Sequence, residues 1–268
     1  MSLLSIPIFQ VDAFTDVPFK GNPAAVCPLN HWLDDSLLQS IAEENNLSET
    51  AFFVPYEDGF QLRWFTPSTE IDLCGHATLA TAHVIFNYLT KEFSGTSINF
   101  YTRSGKLTTT LQPQDQITLN FPAANFKQVA GIPELSIALS GDPEFFFEGA
   151  DFYLAVFRKE EEIFSLDPDF MQLKSLPKKL IYITAPGNQV DFVSRVFGPA
   201  VGINEDPVTG AAHCAFTPYW SDRLQKKRLE ARQLSRRTGK IFCEDLGDRV
   251  ALTGKAITYL TGTILINT

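Results

Sequence analysis

The chain has 268 residues, of which 44% are hydrophobic and 20% are charged, and its formal net charge is -9. This length and composition are typical of a globular protein with one large domain or two smaller ones, each with a buried core. The acidic balance argues against a nucleic-acid partner or an anionic membrane surface, because both bind to a basic face.

The first half of the chain alternates strand-like and helix-like segments, which follow from the period of its apolar residues. A helix is expected over DDSLLQSIAEENN, residues 34–46, where Asp34 or Asp35 is available as the N-cap. A second helix is expected over about residues 76–89. The expected strands are IPIFQVDAF, NPAAVC, ETAFFVP, FQLRWFTP and the stretches around 97–102, 107–112 and 116–121.

The second half repeats this order. Strands DFYLAVF, KLIYITAP and DFVSRVFGP precede a helix over TGAAHCAFTPYWSDRL, and four strand-like segments then finish the chain. The basic run within residues 223–240 is expected to be a solvated face. Two pairs of segments match in the same order, RWFTP with RVFGP and CGHATLA with TGAAHCA. The sequence therefore predicts an α+β fold with two similar domains. We place the domains at residues 1–122 and 123–268, with the terminal residues able to pack onto the first half.

Each repeat has a glycine at the start of its helix, Gly75 in the first half and Gly210 in the second. A helix start leaves backbone N–H groups without partners and carries about half a positive charge, so it favours a bound anion or oxyanion. In two similar domains the equivalent helix starts can face each other across a cleft. We therefore expect a small carboxylate or enolate to bind there, with CGH marking one wall of the site and DPVTG the other.

Glu49 and His76 are the candidate proton-transferring side chains. Glu49 lies in NNLSETAFFV, between a helix and an apolar strand, and a poorly solvated carboxylate there suits proton shuttling near neutral pH. His76 follows Gly75 at the helix start, where imidazolium is disfavoured, so we expect a neutral imidazole that contacts the substrate. The alternatives are a turn or capping role for Glu49 and a local cap for His76.

The other polar candidates have weaker sequence signals. Asp206, in NEDPVTGAAH, stands at the entrance of the second helix, where a carboxylate commonly acts as a cap. His213 is expected to be structural, His83 to pack internally and His31 to lie in a surface loop. The pairs Cys74/His76 and His213/Cys214 lack the ligand separations usual for zinc, so we expect no metal site. The sequence contains no nucleotide-binding glycine motif and no G-x-S-x-G elbow.

The four cysteines and the N-terminal segment indicate the cellular context. The cysteines are far apart and show no C-x-x-C spacing, so they do not form a disulfide framework. The segment MSLLSIPIFQVDAF lacks a charged n-region and a long apolar h-region, and no apolar run reaches the roughly 18 residues needed to span a bilayer. We therefore expect a cytoplasmic protein with reduced thiols.

Five segments in order, VDAFTDVPFKGNPAAV, NLSETAFFV, RWFTPSTEIDLCGHATLA, EDPVTGAAH and LSRRTGK, together resemble the PhzF-like family of phenazine biosynthesis. The resemblance implies the diaminopimelate epimerase fold, in which two similar domains each wrap a sheet around a central helix. It also implies an isomerase that needs no cofactor and moves a proton on a small acid, and it favours a homodimer. By position, Glu49 matches the family's proton-transferring glutamate, while His76 and Asp206 match its other polar site residues. Gly75 and Gly210 match helix-start positions whose amides hold the substrate.

The sequence departs from the family pattern at both helix starts. Ala77 replaces a proline of the family's GHP segment, and Ala211 stands where the phenazine enzyme itself has a serine, so one substrate-facing hydroxyl is missing. The racemase branch of this fold uses two opposed cysteines. Cys74 lies near the first of these positions, but the segment 206–207 occupies the second, and Cys214 comes too late, inside the helix.

The sequence thus predicts an isomerase in which Glu49 moves a proton between carbons of a conjugated small acid. His76 and Asp206 position the substrate or relay protons, and backbone N–H groups near the helix-start glycines stabilise the developing enolate. Cys74 forms a wall of the pocket, and because it precedes a helix start, we expect a lowered thiol pKa and a reactive thiol. The alternatives are a two-base cysteine racemase and a non-catalytic small-ligand-binding protein with the same fold.

Overall fold

The computed structural model describes residues 3–90 and 93–267 of the chain. Up to residue 122 its elements are β1 (Leu3–Ala13), β2 (Asn22–Pro28), α1 (Asp35–Asn45), β3 (Glu49–Tyr56), β4 (Gly59–Phe65), β5 (Glu70–Ile71), α2 (Gly75–Tyr88), β6 (Ser97–Thr102), β7 (Gly105–Gln112) and β8 (Gln116–Pro122). The later elements are β9 (Phe126–Val129), α3 (Pro133–Leu139), β10 (Phe145–Gly149), β11 (Phe152–Val156), α4 (Glu160–Phe164), α5 (Phe170–Lys174), β12 (Leu180–Pro186), β13 (Phe192–Phe197), α6 (Gly210–Leu224), β14 (Arg228–Gln233), β15 (Gly239–Asp245), β16 (Arg249–Gly254) and β17 (Ala256–Asn267).

The chain divides into two compact units. The first unit comprises Met1–Asn120 together with Thr253–Thr268, and the second comprises Phe121–Leu252. Strand β17 therefore belongs to the first unit, where it pairs antiparallel with β1 over the whole length of β1. The last strand of the chain thus completes the sheet in which the chain begins.

The two units have the same order of strand pairing. In the first unit β2 pairs parallel with β3, β3 antiparallel with β4, β4 parallel with β6, and β6 antiparallel with β7. In the second unit β11, β12, β13, β14 and β15 pair in the same sequence of directions. Each unit also has one long helix between its third and fourth strand of this series, α2 in the first and α6 in the second. The predicted internal repeat is therefore present in the topology.

Each long helix is the centre of its unit. Every residue of α2 from Gly75 to Ala82 is buried, and the helix contacts β1, β2, β3, β7 and β17. A helix that is apolar on all sides must be covered on all sides, so the sheet wraps around it. In the second unit α6 contacts β14 and β15, and its Trp220 stacks on Phe192 of β13 with ring centroids 5.8 Å apart.

An arginine clamp occurs at the equivalent place in both units. Arg63 in β4 donates from Nε and Nη2 to the carboxylate of Glu70, both at 2.7 Å. Arg195 in β13 donates from the same nitrogens to Glu205, at 2.7 and 3.1 Å. Each guanidinium also lies over the phenylalanine two residues further along, with distances of 5.1 and 5.0 Å to the ring centroids. The matched RWFTP and RVFGP segments therefore have the same structural role.

One of the two expected aspartates, Asp34, is the N-cap residue of α1, but its side chain makes no capping hydrogen bond. Asp35 instead forms an ion pair with Arg63, with 2.8 Å between Oδ1 and Nη1. Among the described residues, no helix is long and apolar enough to cross a membrane.

Candidate active site

Glu49 is the first residue of β3, directly after the turn that ends α1. The helix ends at Asn46, whose left-handed backbone (φ 48°) reverses the chain direction. Strand β3 then pairs parallel with β2, and Glu49 is placed opposite Ala24. The carboxylate is thereby carried into the interior of the unit, where Glu49 is 7% exposed.

The second group of site residues lies at the start of α2. Cys74 is the N-cap residue, with extended backbone, and its side chain makes no capping hydrogen bond to the first turn of the helix. Its sulfur lies instead 3.4 Å from Nδ1 of His76. Gly75 and His76 are both buried. The first turn therefore presents its positive dipole end beside the Cys74 thiol and the His76 imidazole.

Glu49, Cys74 and His76 form a buried cluster, which we call the Glu49–Cys74–His76 cluster. Oε2 of Glu49 lies 2.9 Å from Nε2 of His76. On the other side of the ring, Nδ1 of His76 lies 3.2 Å from Nδ2 of Asn22, and Asn22 Oδ1 accepts a hydrogen bond from Ser48 at 3.3 Å. The imidazole is thus held between a carboxylate and a thiol, with the Asn22 amide fixing its far edge.

The short contact between Glu49 and His76 is not a well-aligned hydrogen bond. The distance is 2.9 Å, yet Oε2 of Glu49 and Nε2 of His76 are both buried without a hydrogen-bond partner, because the ring N–H does not point at the oxygen. The interaction is therefore mainly electrostatic. Both atoms keep the capacity to bind a third group.

The cluster changes the protonation of both its histidine and its cysteine. Burial by itself lowers the pKa of His76, but Cys74 and the Glu49 carboxylate outweigh it, and the pKa lies well above its ordinary value. Burial, reinforced by Glu49, raises the pKa of Cys74 to about 11. One expectation is corrected: the Cys74 thiol is protonated at neutral pH, not activated. For both groups the adjacent carboxylate opposes the pKa shift expected from the helix dipole.

The second unit places Asp206, Gly210 and Ala211 at the start of α6. The N-cap residue is Thr209, whose hydroxyl donates to Oδ2 of Asp206 at 2.5 Å. Gln233 fixes this turn, since its Oε1 accepts from Thr209 N at 2.9 Å and its Nε2 donates to Asp206 O at 2.7 Å. Gly210 is buried, whereas Ala211 is exposed on the first turn. Asp206 therefore orients the N-cap residue of α6 and does not occupy the cap itself.

The remaining histidines have the structural roles expected of them. His213 is buried, and its Nδ1 donates to the carbonyl of Thr209 at 2.8 Å. Burial lowers its pKa to about 4, so the ring is neutral at pH 7. His83 lies 3.0 Å from the Thr258 hydroxyl through Nε2, and burial lowers its pKa to about 4 as well. His31 is exposed in the loop before α1.

The structure brings the predicted residues together in two groups. Glu49, Cys74, Gly75 and His76 meet in the first unit, and the residues at the start of α6 meet in the second. Sequence reasoning assigned no role to Asn22, which contacts His76, or to Gln233, which shapes the Asp206 turn. Buried Asn22 begins β2 and buried Gln233 ends β14. Only Asn22, at the start of an apolar strand, had an available sequence signal.

Comparisons with known proteins agree with this fold. The family model described as phenazine biosynthesis-like protein matches residues 11–262. An uncharacterized isomerase of Pseudomonas aeruginosa is 49% identical over 261 residues, which cover 97% of this chain and 99% of that protein. The crystal structure of a PhzF-family phenazine biosynthesis protein from Enterococcus faecalis superposes with a TM-score of 0.94 at 43% identity, covering 97% of this chain and 99% of that one.

A more distant structure shares the fold alone. A hydroxyproline epimerase from Agrobacterium vitis superposes with a TM-score of 0.65 at 11% identity, covering 98% of this chain and 93% of that one. Together with the PhzF-family structure, this likeness confirms the predicted α+β fold built from two epimerase-like halves.

Proposed function

The chain belongs to the phenazine biosynthesis-like protein family, and we propose that this isomerase transfers a proton between two carbons of a small carboxylic acid. The observation that carries the proposal is the environment of Glu49. Its Oε2 is buried, has no well-aligned hydrogen bond and lies 2.9 Å from Nε2 of His76, whose pKa is raised. A carboxylate in this setting can accept a proton from carbon and return it, because water does not compete for it.

In the proposed reaction Glu49 removes a proton from one carbon of a conjugated acid. The electron pair of the broken C–H bond is delocalised toward the substrate carboxylate as an enolate-like intermediate. Glu49 then delivers the same proton to a second carbon, and the double bond shifts. Since no electron or group is gained or lost, the cycle requires no external cofactor.

Two features support stabilisation of the negative intermediate in the first unit. The start of α2 offers backbone N–H groups that the Cys74 side chain does not cap. His76, whose pKa is raised beside Glu49, adds a proton donor within the same buried cluster. Preorganised donors of this kind are each worth about 3–4 kcal/mol of transition-state stabilisation.

We assign the start of α6 to substrate binding as well. Gly210 leaves the first position of α6 without a side chain, and the preceding residue, Thr209, donates to the carboxylate of Asp206. The prediction that one substrate lies in a cleft between the two halves is tested by kinetics. If both helix starts act on the same substrate, Asp206→Asn raises KM or lowers kcat for the acid that depends on Glu49. An Asp206→Asn enzyme with wild-type kinetics would remove this residue from the site.

Deuterium incorporation tests the proposed function. The protein is incubated in D2O with a panel of small cyclic and amino carboxylic acids, and mass spectrometry detects deuterium at carbon. The native protein is expected to introduce deuterium into at least one acid, and Glu49→Gln to bind that acid without exchange. If neither protein exchanges deuterium into any acid that it binds, the chain is a binding protein.

A cysteine racemase is the second candidate, favoured by the position of Cys74 at a helix start and by the epimerase-like fold. It would need a second thiol that ionises. Cys214 lies inside α6, and burial raises its pKa to about 12. We therefore place this candidate second.

We also predict a cytoplasmic homodimer. The acidic chain with free cysteines suits a reducing compartment, since Cys27, Cys74, Cys214 and Cys243 are all free and buried. Light scattering of the purified protein should give twice the mass of one chain, and cell fractionation should recover it in the cytoplasm. A monomeric mass would contradict the dimer.

A further inference from the structure

The Glu49–Cys74–His76 cluster contains three chemically different metal-ligand groups. One oxygen, one sulfur and one nitrogen of these side chains all lie within 4.8 Å of one another. Tetrahedral zinc with bonds of about 2.0–2.3 Å holds its ligand atoms roughly 3.3–3.8 Å apart. The sulfur lies beside Nδ1 of His76 and the carboxylate beside Nε2, so the imidazole must turn for one of its nitrogens to share an ion with both.

Two of the potential ligand atoms contact each other at 2.9 Å but form no well-aligned hydrogen bond. Oε2 of Glu49 and Nε2 of His76 are buried and make no hydrogen bond. The two side chains are 10% and 5% exposed, so the cluster is deeply buried but not sealed. Buried polar atoms without partners are rare in proteins, and an ion is one of the groups that satisfies them. This observation is independent of the ligand types present.

We propose that the Glu49–Cys74–His76 cluster binds one zinc ion and that zinc thereby acts as an inhibitor of the enzyme. A thiolate, an imidazole and a carboxylate supply three ligands, and water or another small ligand supplies the fourth. The thiolate selects zinc over magnesium and calcium, which prefer oxygen ligands. Binding releases the thiol and imidazole protons to solvent. The inhibition rests on the proposed role of Glu49, because a coordinated carboxylate cannot accept a substrate proton. The binding of zinc itself does not depend on that role.

Cobalt(II) is the probe for the binding step, because a thiolate ligand gives it a charge-transfer band in the near ultraviolet. The metal-free native protein is titrated with Co²⁺ and the bound ion is then displaced with Zn²⁺. We expect one Co²⁺ per chain, a thiolate band and loss of that band on addition of Zn²⁺, but not of Mg²⁺. Absence of the band, or no Zn²⁺ retained after dialysis, would overturn the proposal.

Variants locate the site. Cys74→Ser should abolish the thiolate band and weaken Zn²⁺ binding at least tenfold, and His76→Asn should weaken binding at least tenfold while the thiol remains. Cys243→Ser is the matched control, since Cys243 is also buried but lies in the other unit. It should leave the band unchanged. A band that survives Cys74→Ser or disappears in Cys243→Ser would place the metal elsewhere and refute the site. Circular dichroism shows that each variant is folded before titration.

The inhibition is tested separately with the acid identified by deuterium exchange. Stoichiometric Zn²⁺ should stop exchange by the native protein, and a chelator should restore it. Tight Zn²⁺ binding without loss of exchange would disprove the inhibitory role and leave the metal site intact. Binding with no exchange under any condition would instead count against the proposed function.

Discussion

A catalytic base must be deprotonated at neutral pH, and Cys74 does not meet this requirement. Burial and Glu49 raise the pKa of Cys74 to about 11, so its thiol stays protonated and cannot accept a proton from carbon. Glutamine in place of Glu49 also lacks a basic group. We predict that Glu49→Gln lowers the exchange rate by at least about 10²–10⁴-fold, whereas Cys74→Ser lowers it by less than about tenfold. Deuterium exchange by both variants measures which substitution lowers the rate more. A larger loss in Cys74→Ser than in Glu49→Gln would favour the cysteine racemase.

The charge on His76 is the second residue-level prediction. Burial lowers the pKa of His76, but the opposite effect of Cys74 and Glu49 is larger. The folded-state pKa therefore exceeds the unfolded value of about 6.5. The resulting stabilisation is fully present below about pH 6.5 and is lost as the pH rises through the folded-state pKa. We predict that Glu49→Gln lowers the midpoint of His76 titration, observed by NMR of the imidazole. Its effect on the free energy of unfolding should also shrink as the pH rises above about 6.5.

An unchanged His76 midpoint in Glu49→Gln would contradict this account. His83 supplies the internal control in the same spectra. Burial lowers the His83 pKa to about 4, and Asp115, not Glu49, acts on it. Its resonance should therefore not respond to the substitution.

At the residue scale the sequence pointed to side chains that the structure brings together, but not to their protonation. Glu49 and His76 could be found from the segments NLSETAFFV and CGHATLA. The activated thiol was wrong because it followed from local position at a helix start. Burial, reinforced by a carboxylate from a remote strand, raises the pKa of Cys74, and the same carboxylate lies 2.9 Å from the His76 ring. Such a contact between remote segments has no local sequence signal.

At the scale of elements, the arginine clamps join a strand to a helix in each unit. Arg63 in β4 also reaches Asp35 of α1, and Arg195 in β13 also donates to the carbonyls of Ile163 and Leu166 at the end of α4. Each guanidinium is largely buried, at 16% and 13% side-chain exposure. Loss of the carboxylate would therefore leave a poorly solvated charge without its principal partner.

We predict that Glu70→Gln and Glu205→Gln each lower the free energy of unfolding by about 1–3 kcal/mol. Asp16→Asn is the matched control, because Asp16 pairs with Lys255 at 3.3 Å on the exposed surface. Exposed pairs contribute little, so this variant should unfold like the native protein. Urea unfolding measures all three. Equal effects of Glu70→Gln and Asp16→Asn would show that the clamp is not structural.

The long elements were predictable because their apolar period is strong. The helices at 76–89 and 209–224 and the strands around them were found within a few residues. The elements between residues 126 and 174 were mostly missed. Helices α3, α4 and α5 have 7, 5 and 5 residues, which is too short for a helical period to appear. Their positions depend on tertiary packing, as in the cluster of Leu135, Ile163 and Leu173.

At the scale of the whole molecule, the sequence repeat has its counterpart in structure. Two units with the same pairing order, the same central helix and the same arginine clamp are difficult to explain without duplication. The chemistry has nevertheless diverged. The start of α2 carries a buried cluster of thiol, imidazole and carboxylate, whereas the equivalent start of α6 carries a hydroxyl–carboxylate pair. A duplicated scaffold therefore supplies two helix starts with different side chains.

Strand β17 belongs to the first unit although the whole second unit separates it from Met1–Asn120 along the chain. Strand β17 pairs with all of β1, and Ile264 and Ile266 pack against the core of the first unit that contains Ile6 and Phe52. The neighbouring Leu265 is 64% exposed. Ile264→Ala should therefore lower the free energy of unfolding by about 1–3 kcal/mol, and Leu265→Ala should have little effect.

Hydrogen exchange should show where this stability is lost. In Ile264→Ala the amides of β1 should exchange faster, because its antiparallel partner is held less firmly. The amides of β12 and β13 pair within the second unit around a core of their own, which includes Ile181, Ile183 and Val193, and should keep their protection. Equal loss of protection in both units would show that the chain unfolds as one cooperative body. Loss confined to the first unit would show that the C-terminal strand stabilises the half of the molecule that carries Glu49 and His76.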